Sequence, residues 1–98
     1  MTDKVVIITG GSRGIGCATA LAAAARGYRV CVGYASNEAA AQSVVSAIEA
    51  KSGKAIAVKC DVGSEKDILA LFKAADAFGT LRALVNNAGI VGTTSRVD

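Results

Sequence analysis

The chain has 98 residues, 52% hydrophobic and only 4% aromatic, with a net charge of +3 and no histidine. That size allows one small domain whose thin core is built of Ala, Val, Ile and Leu. Lys and Arg are scattered, which leaves no nucleic-acid footprint, and no apolar stretch approaches a membrane span, so a soluble, cytoplasmic protein with neither nucleic-acid nor membrane partners is expected.

Lys4 to Thr9 reads as the first strand, and its aliphatic run Val5-Val6-Ile7-Ile8 suits a parallel strand covered on both faces. Thr9-Gly10-Gly11-Ser12-Arg13-Gly14-Ile15-Gly16 follows and opens the alanine-rich run Cys17 to Ala25. A pyrophosphate needs a tight turn, a backbone without a Cβ in the way, and free N–H groups at a positive helix end. Gly10, Gly14 and Gly16 can supply all three. The spacing G-x-x-x-G-x-G departs from G-x-G-x-x-G, and the same residues also fit an ordinary tight turn between strand and helix. A P-loop fits less well, because no Gly-Lys-Ser/Thr follows.

The first helix is predicted from about Ser12 or Arg13 to Arg26, stopped by Gly27, with Ala18, Ala22 and Ala25 spaced to lie close to a sheet. Strand two runs from Arg29 to Gly33 or Tyr34 and ends in the polar turn Ser36-Asn37. Asn37 caps a second helix through about Lys51, in which Ala41, Val44, Val45 and Ile48 share one face and Gln42, Ser46 and Glu49 take the wet side. Ser52-Gly53 ends it, and Ala55 to Cys60 is strand three. Ser64-Glu65-Lys66-Asp67 reads as a capping box before a third helix with the stripe Ile68, Leu71, Phe72 and Ala75, closed by Gly79. Leu81 to Asn86 is strand four, and Gly89 to Asp98 is polar without periodicity. Cys17, Cys31 and Cys60 fall in apolar patterns without C-x-x-C, and are expected to be reduced core residues rather than metal ligands.

Strands alternating with helices imply a parallel sheet, and a phosphate turn after strand one implies the order 3-2-1-4. Helices one and two then share one face, while helix three alone crosses to the other and leaves it half bare. The outer edge of strand four would be unpaired as well. Residues 1–98 are therefore expected to form an incomplete domain.

Cys60-Asp61-Val62 ends strand three and Asn86-Asn87-Ala88-Gly89 ends strand four, both at carboxyl ends where doubly wound sheets bind ligands. Together with Thr9 to Gly16, these blocks resemble the short-chain dehydrogenase/reductase family of the classical type, with overall similarity to 3-oxoacyl-(acyl carrier protein) reductases. The resemblance covers the whole chain but only the amino-terminal part of that family's usual length. It implies an α/β, Rossmann-type, doubly wound parallel sheet in an oxidoreductase that transfers hydride between NADP(H) and a small-molecule carbonyl or alcohol, a homo-oligomer at full length. It also implies that Gly10, Ser12, Arg13, Gly14, Ile15 and Gly16 line the pyrophosphate and adenosine phosphate, and that Asp61 and Val62 flank the adenine. Asn87, Ala88 and Gly89 would border the ribose and the floor of the nicotinamide site, while Asn86 fits a backbone tie as well as a site role.

An NAD site wants a carboxylate at the end of strand two to accept hydrogen bonds from the ribose 2′-hydroxyl. Gly33-Tyr34-Ala35-Ser36-Asn37 carries none, and the first acid, Glu38, falls in the following helix. Tyr34, Ala35 and Ser36 are therefore assigned to a site for NADP(H) ahead of NAD(H), with Arg13 reaching the 2′-phosphate. The family's proton donor is Tyr-x-x-x-Lys with an upstream Ser, whereas Tyr28 and Tyr34 are followed four residues on by Val32 and Glu38. No catalytic residue is expected in the chain, which alone should be inactive. One alternative is a stand-alone nucleotide-binding module without catalysis, which the half-covered sheet argues against. Another, an S-adenosylmethionine-dependent methyltransferase, lacks its acid at the end of strand two.

Overall fold

Four consecutive aliphatic residues in a strand must be covered on both sides, because successive side chains point to opposite faces. A computed structural model of the chain, which describes residues 3–10, 14–61 and 63–86, shows how this is done. The elements are β1 (Lys4–Thr9), α1 (Gly14–Ala25), β2 (Arg29–Tyr34), α2 (Glu38–Ala50), β3 (Ala55–Lys59), α3 (Glu65–Phe78) and β4 (Thr80–Asn86). All strand pairs are parallel and the sheet order is β3-β2-β1-β4, as the sequence predicts. Val6 and Ile8 of β1 pack with Ala20, Val44 and Ile48 beneath α1 and α2. Val5 and Ile7 point the other way and join Cys31, Cys60, Leu71 and Ala75 beneath α3. Each such aliphatic side chain stabilises the fold by about 1.5–3 kcal/mol on full burial.

α2 buries the expected Ala41, Val44, Val45 and Ile48, and Asn37 caps it by accepting the Ala40 N–H at 3.0 Å. α1 docks by a different face from the predicted one. Ala18, Ala22 and Ala25 are exposed, while Gly16 and Ala20 are buried and Cys17, Ala23 and Ala24 half-buried. With alanine at six of its 12 positions, α1 has no hydropathy stripe to choose a face, and the face it buries is the one that carries Gly16 and Ala20.

Both helices on that face end in the same paired hydrogen-bond pattern. In α1 the Gly27 N–H donates to Ala24 O (3.0 Å) and the Tyr28 N–H to Ala23 O (3.2 Å), with Gly27 at φ 95°. In α2 the Ser52 N–H donates to Glu49 O (3.0 Å) and the Gly53 N–H to Ile48 O (3.0 Å). Here Ser52, at φ 69°, takes the left-handed position, and the glycine of the predicted Ser52-Gly53 stop follows it.

The opposite face is only partly covered. β4 pairs with β1 alone, Leu84 remains 49% exposed beside Ile7, and Leu69 of α3 is 56% exposed. The junction of α3 and β4 is tight: the Thr80 N–H donates to Asp3 O at 2.8 Å, and a Cβ at Gly79 would collide with that same carbonyl oxygen and lie 2.8 Å from Val5 Cγ2. α3 has no basic residue in its last turn, and Arg29 of β2 supplies the charge instead, donating from Nη1 to Phe78 O at 2.6 Å. Its guanidinium lies 5.7 Å from the centre of the Phe78 ring.

Two substitutions separate these constraints. Gly79→Ala should destabilise the protein by about 1–3 kcal/mol through overpacking against Asp3 and Val5. Ser52→Gly should stabilise it by about 0.5–1 kcal/mol by relieving the left-handed conformation. Urea midpoints read both, and an unchanged midpoint in either would contradict the backbone geometry at that position.

Candidate cofactor-binding site

Parallel pairing places the carboxyl ends of all four strands along one edge of the sheet. Thr9 stands between Gly33 and Asn86, so β1 ends where the chain winds outward in both directions. Such a switch point leaves a crevice between loops that depart to opposite faces. Gly10 leaves β1 at φ 67°, and its N–H donates to Gly33 O at 2.9 Å. That left-handed turn is cheap only for glycine. α1 begins at Gly14 with no acid in its first turn, so the positive end of its dipole meets no carboxylate of its own helix. Thr9 is buried, and its Oγ1 donates to Val85 O at 3.4 Å, tying the end of β1 to β4.

The β2 and β3 ends form the second half of the edge. The Cys60 N–H donates to Tyr34 O at 2.7 Å, which carries the ladder one residue past β3 and holds Asp61 beside the end of β2. Tyr34 is half-buried against the α1–α2 side of the core, Ala35 and Ser36 are exposed, and Glu38 is the first residue of α2. Asp61 folds into a turn: its O accepts the Ser64 N–H at 2.8 Å and its Oδ1 accepts the Gly63 N–H at 2.9 Å.

The expected capping box is only half formed. Ser64 Oγ does accept the Asp67 N–H at 3.2 Å, but Asp67 Oδ2 accepts the N–H of Asp61 at 3.0 Å rather than that of Ser64. The Ser64 N–H is already given to Asp61 O, which leaves Asp61 as the donor within reach.

The structure thus brings Gly10, Gly14, Gly16, Tyr34, Ala35, Ser36 and Asp61 to one edge, with Ile15 placed by its backbone in α1. Ser12, Arg13, Val62, Asn87, Ala88 and Gly89 lie outside the described residues. Sequence reading placed Thr9 at the end of strand one and Asp67 in the capping box, but gave neither a role in supporting this edge. An aspartate where a capping box has Glu or Gln was the available signal for Asp67.

The left-handed turn at Gly10, the N-terminus of α1 and the switch point are those of a doubly wound parallel sheet of the Rossmann type. The chain matches the family model described as short chain dehydrogenase over residues 4–98, and it belongs to that family. It is 46% identical over 95 residues to an uncharacterized oxidoreductase of Escherichia coli, covering 96% of this chain and 38% of that protein. A 3-oxoacyl-[acyl-carrier-protein] reductase of Synechocystis is 47% identical over 95 residues, with the same 96% and 38% coverage. The crystal structure of a dehydrogenase/reductase from Sinorhizobium meliloti superposes with a TM-score of 0.86 at 40% identity, covering 92% of this chain and 36% of that one. The chain thus spans little more than a third of the length of these relatives.

All three cysteines are free; Cys31 and Cys60 are buried and Cys17 is half-buried. Burial, foremost, pushes the Cys31 thiol up to about 12 from 9.0, with Cys60 adding to the effect. Burial also raises the Cys60 thiol, helped by the Asp67 and Asp61 carboxylates. Unfolded Cys31 ionises near 9.0 and folded Cys31 near 12, so its contribution to stability is whole below pH 9 and is lost as pH rises toward 12. Unfolding midpoints should therefore fall across that window, and less steeply in Cys31→Val. An identical slope in the variant would contradict the burial of that thiol.

Proposed function

We propose that this chain is the cofactor-binding part of an NADP(H)-dependent oxidoreductase that transfers hydride between NADP(H) and a carbonyl or alcohol substrate, with its catalytic residues outside these 98 residues. The observation that carries the reading is the convergence, at one switch point, of the left-handed Gly10 turn, the acid-free N-terminus of α1 and the anchored Asp61. These features suit a dinucleotide: N–H groups and a positive helix end for the pyrophosphate, and a carboxylate for the amino group of adenine. Gly10, Ser12, Gly14, Ile15 and Gly16 would hold the phosphates, Asp61 and Val62 the adenine, and Asn87, Ala88 and Gly89 the nicotinamide half. The nicotinamide, when bound, carries the hydride.

Membership of the short-chain dehydrogenase family supports the reaction class, and similarity to a 3-oxoacyl-[acyl-carrier-protein] reductase supports a carbonyl substrate. A cytoplasmic homo-oligomer completes the proposal. Preference for NADP(H) over NAD(H) rests on the end of β2, where Tyr34, Ala35 and Ser36 offer no carboxylate to repel a 2′-phosphate and Glu38 belongs to α2. Arg13 would supply the pairing guanidinium, helped by the hydroxyl of Ser36.

Titrating NADPH and NADH against the full-length protein tests this. Arg13→Ala should weaken NADPH by about 1.5–3 kcal/mol, the range for hydrogen bonds to charged groups, and leave NADH nearly unchanged. Equal loss for both would show that Arg13 does not read the 2′-phosphate, and tighter wild-type binding of NADH would overturn the preference.

A further inference from the structure

We propose that Asp67, in the first turn of α3, is a positioning residue that fixes Asp61 for recognition of the cofactor's 6-aminopurine. The inference rests on the cofactor reading above and adds a residue and a selectivity to it. β3 ends at Lys59, so the sheet provides no partner for the N–H of Asp61, and Asp67 Oδ2 accepts it at 3.0 Å. Asp61 O and Oδ1 are engaged by the Ser64 and Gly63 N–H groups at 2.8 and 2.9 Å. Backbone and carboxylate are thereby held, while Asp61 Oδ2 accepts no hydrogen bond among the described residues. A carboxylate oxygen only accepts. Adenine offers an N6 amino donor, whereas hypoxanthine presents an O6 acceptor at the same place. An acceptor fixed before binding discriminates between them without the entropic cost of ordering a loop.

The Asp67 side chain can be removed without removing the α3 cap, because Ser64 Oγ bonds the backbone N–H of Asp67. Binding of NADPH and of its hypoxanthine analogue to the full-length protein, measured by calorimetry, is the test. Wild type should favour NADPH by about tenfold or more, the effect of one hydrogen bond to a charged group. Asp67→Ala should bring that ratio to within about twofold, and Asp67→Asn, which keeps an acceptor oxygen, should retain most of it. If Asp67→Ala does not fold, Asp67→Ser, too short to reach the Asp61 N–H, carries the same expectation. An unchanged ratio in a folded Ala or Ser variant, with both nucleotides weakened alike, would overturn the proposal and leave Asp67 a purely structural residue. Failure of wild type to bind either nucleotide would instead defeat the cofactor reading on which the proposal rests.

Discussion

Burial of β1 on both faces constrains everything else in this chain. Val6 and Ile8 require the α1–α2 layer and Val5 and Ile7 require α3, so β1 must lie inside the sheet with windings departing to either side. A central strand flanked in this way ends at a switch point. The chain must also leave that strand without filling the crevice, which the left-handed turn at Gly10 and the side-chain-free Gly16 both allow. The packing and the crevice at the strand ends are thus two results of one requirement.

The ends of the neighbouring strands are held by hydrogen bonds more than by apolar contact. Gly10 is tied to Gly33, Thr9 to Val85, Cys60 to Tyr34 and Asp61 to Asp67. The proposed site would have to receive polar phosphates and a base, so it could not be lined wholly with core side chains, and these bonds hold its edge in their place. The far end of the sheet is locked by different means. There Arg29 reaches across to the last carbonyl of α3, and Gly79 admits the Asp3 backbone.

Strand order, helix number and the α2 face were legible because alternation and the Ala41, Val44, Val45, Ile48 spacing encode them directly. The docking face of α1 was not, since alanines all round a helix carry no directional signal. Gly10 and Asp61 were legible as strand-end residues, and the structure places both at the carboxyl edge. The partnership of Asp61 with Asp67 was not, because it depends on a turn that spends the Ser64 N–H on Asp61 O before the helix begins. Ser52 in the left-handed position was hidden for a related reason: the adjacent Gly53 is the residue that pattern reading favours.

In the proposed reading a dinucleotide sits along the carboxyl edge of this sheet, centred on the end of β1. A crystal structure of the full-length protein with NADP⁺ tests it most directly. The pyrophosphate should lie over the N-terminus of α1, beside Gly10, and the adenine between the ends of β2 and β3 at Asp61. Density for the dinucleotide elsewhere, with the α1 N-terminus and Asp61 untouched, would contradict it.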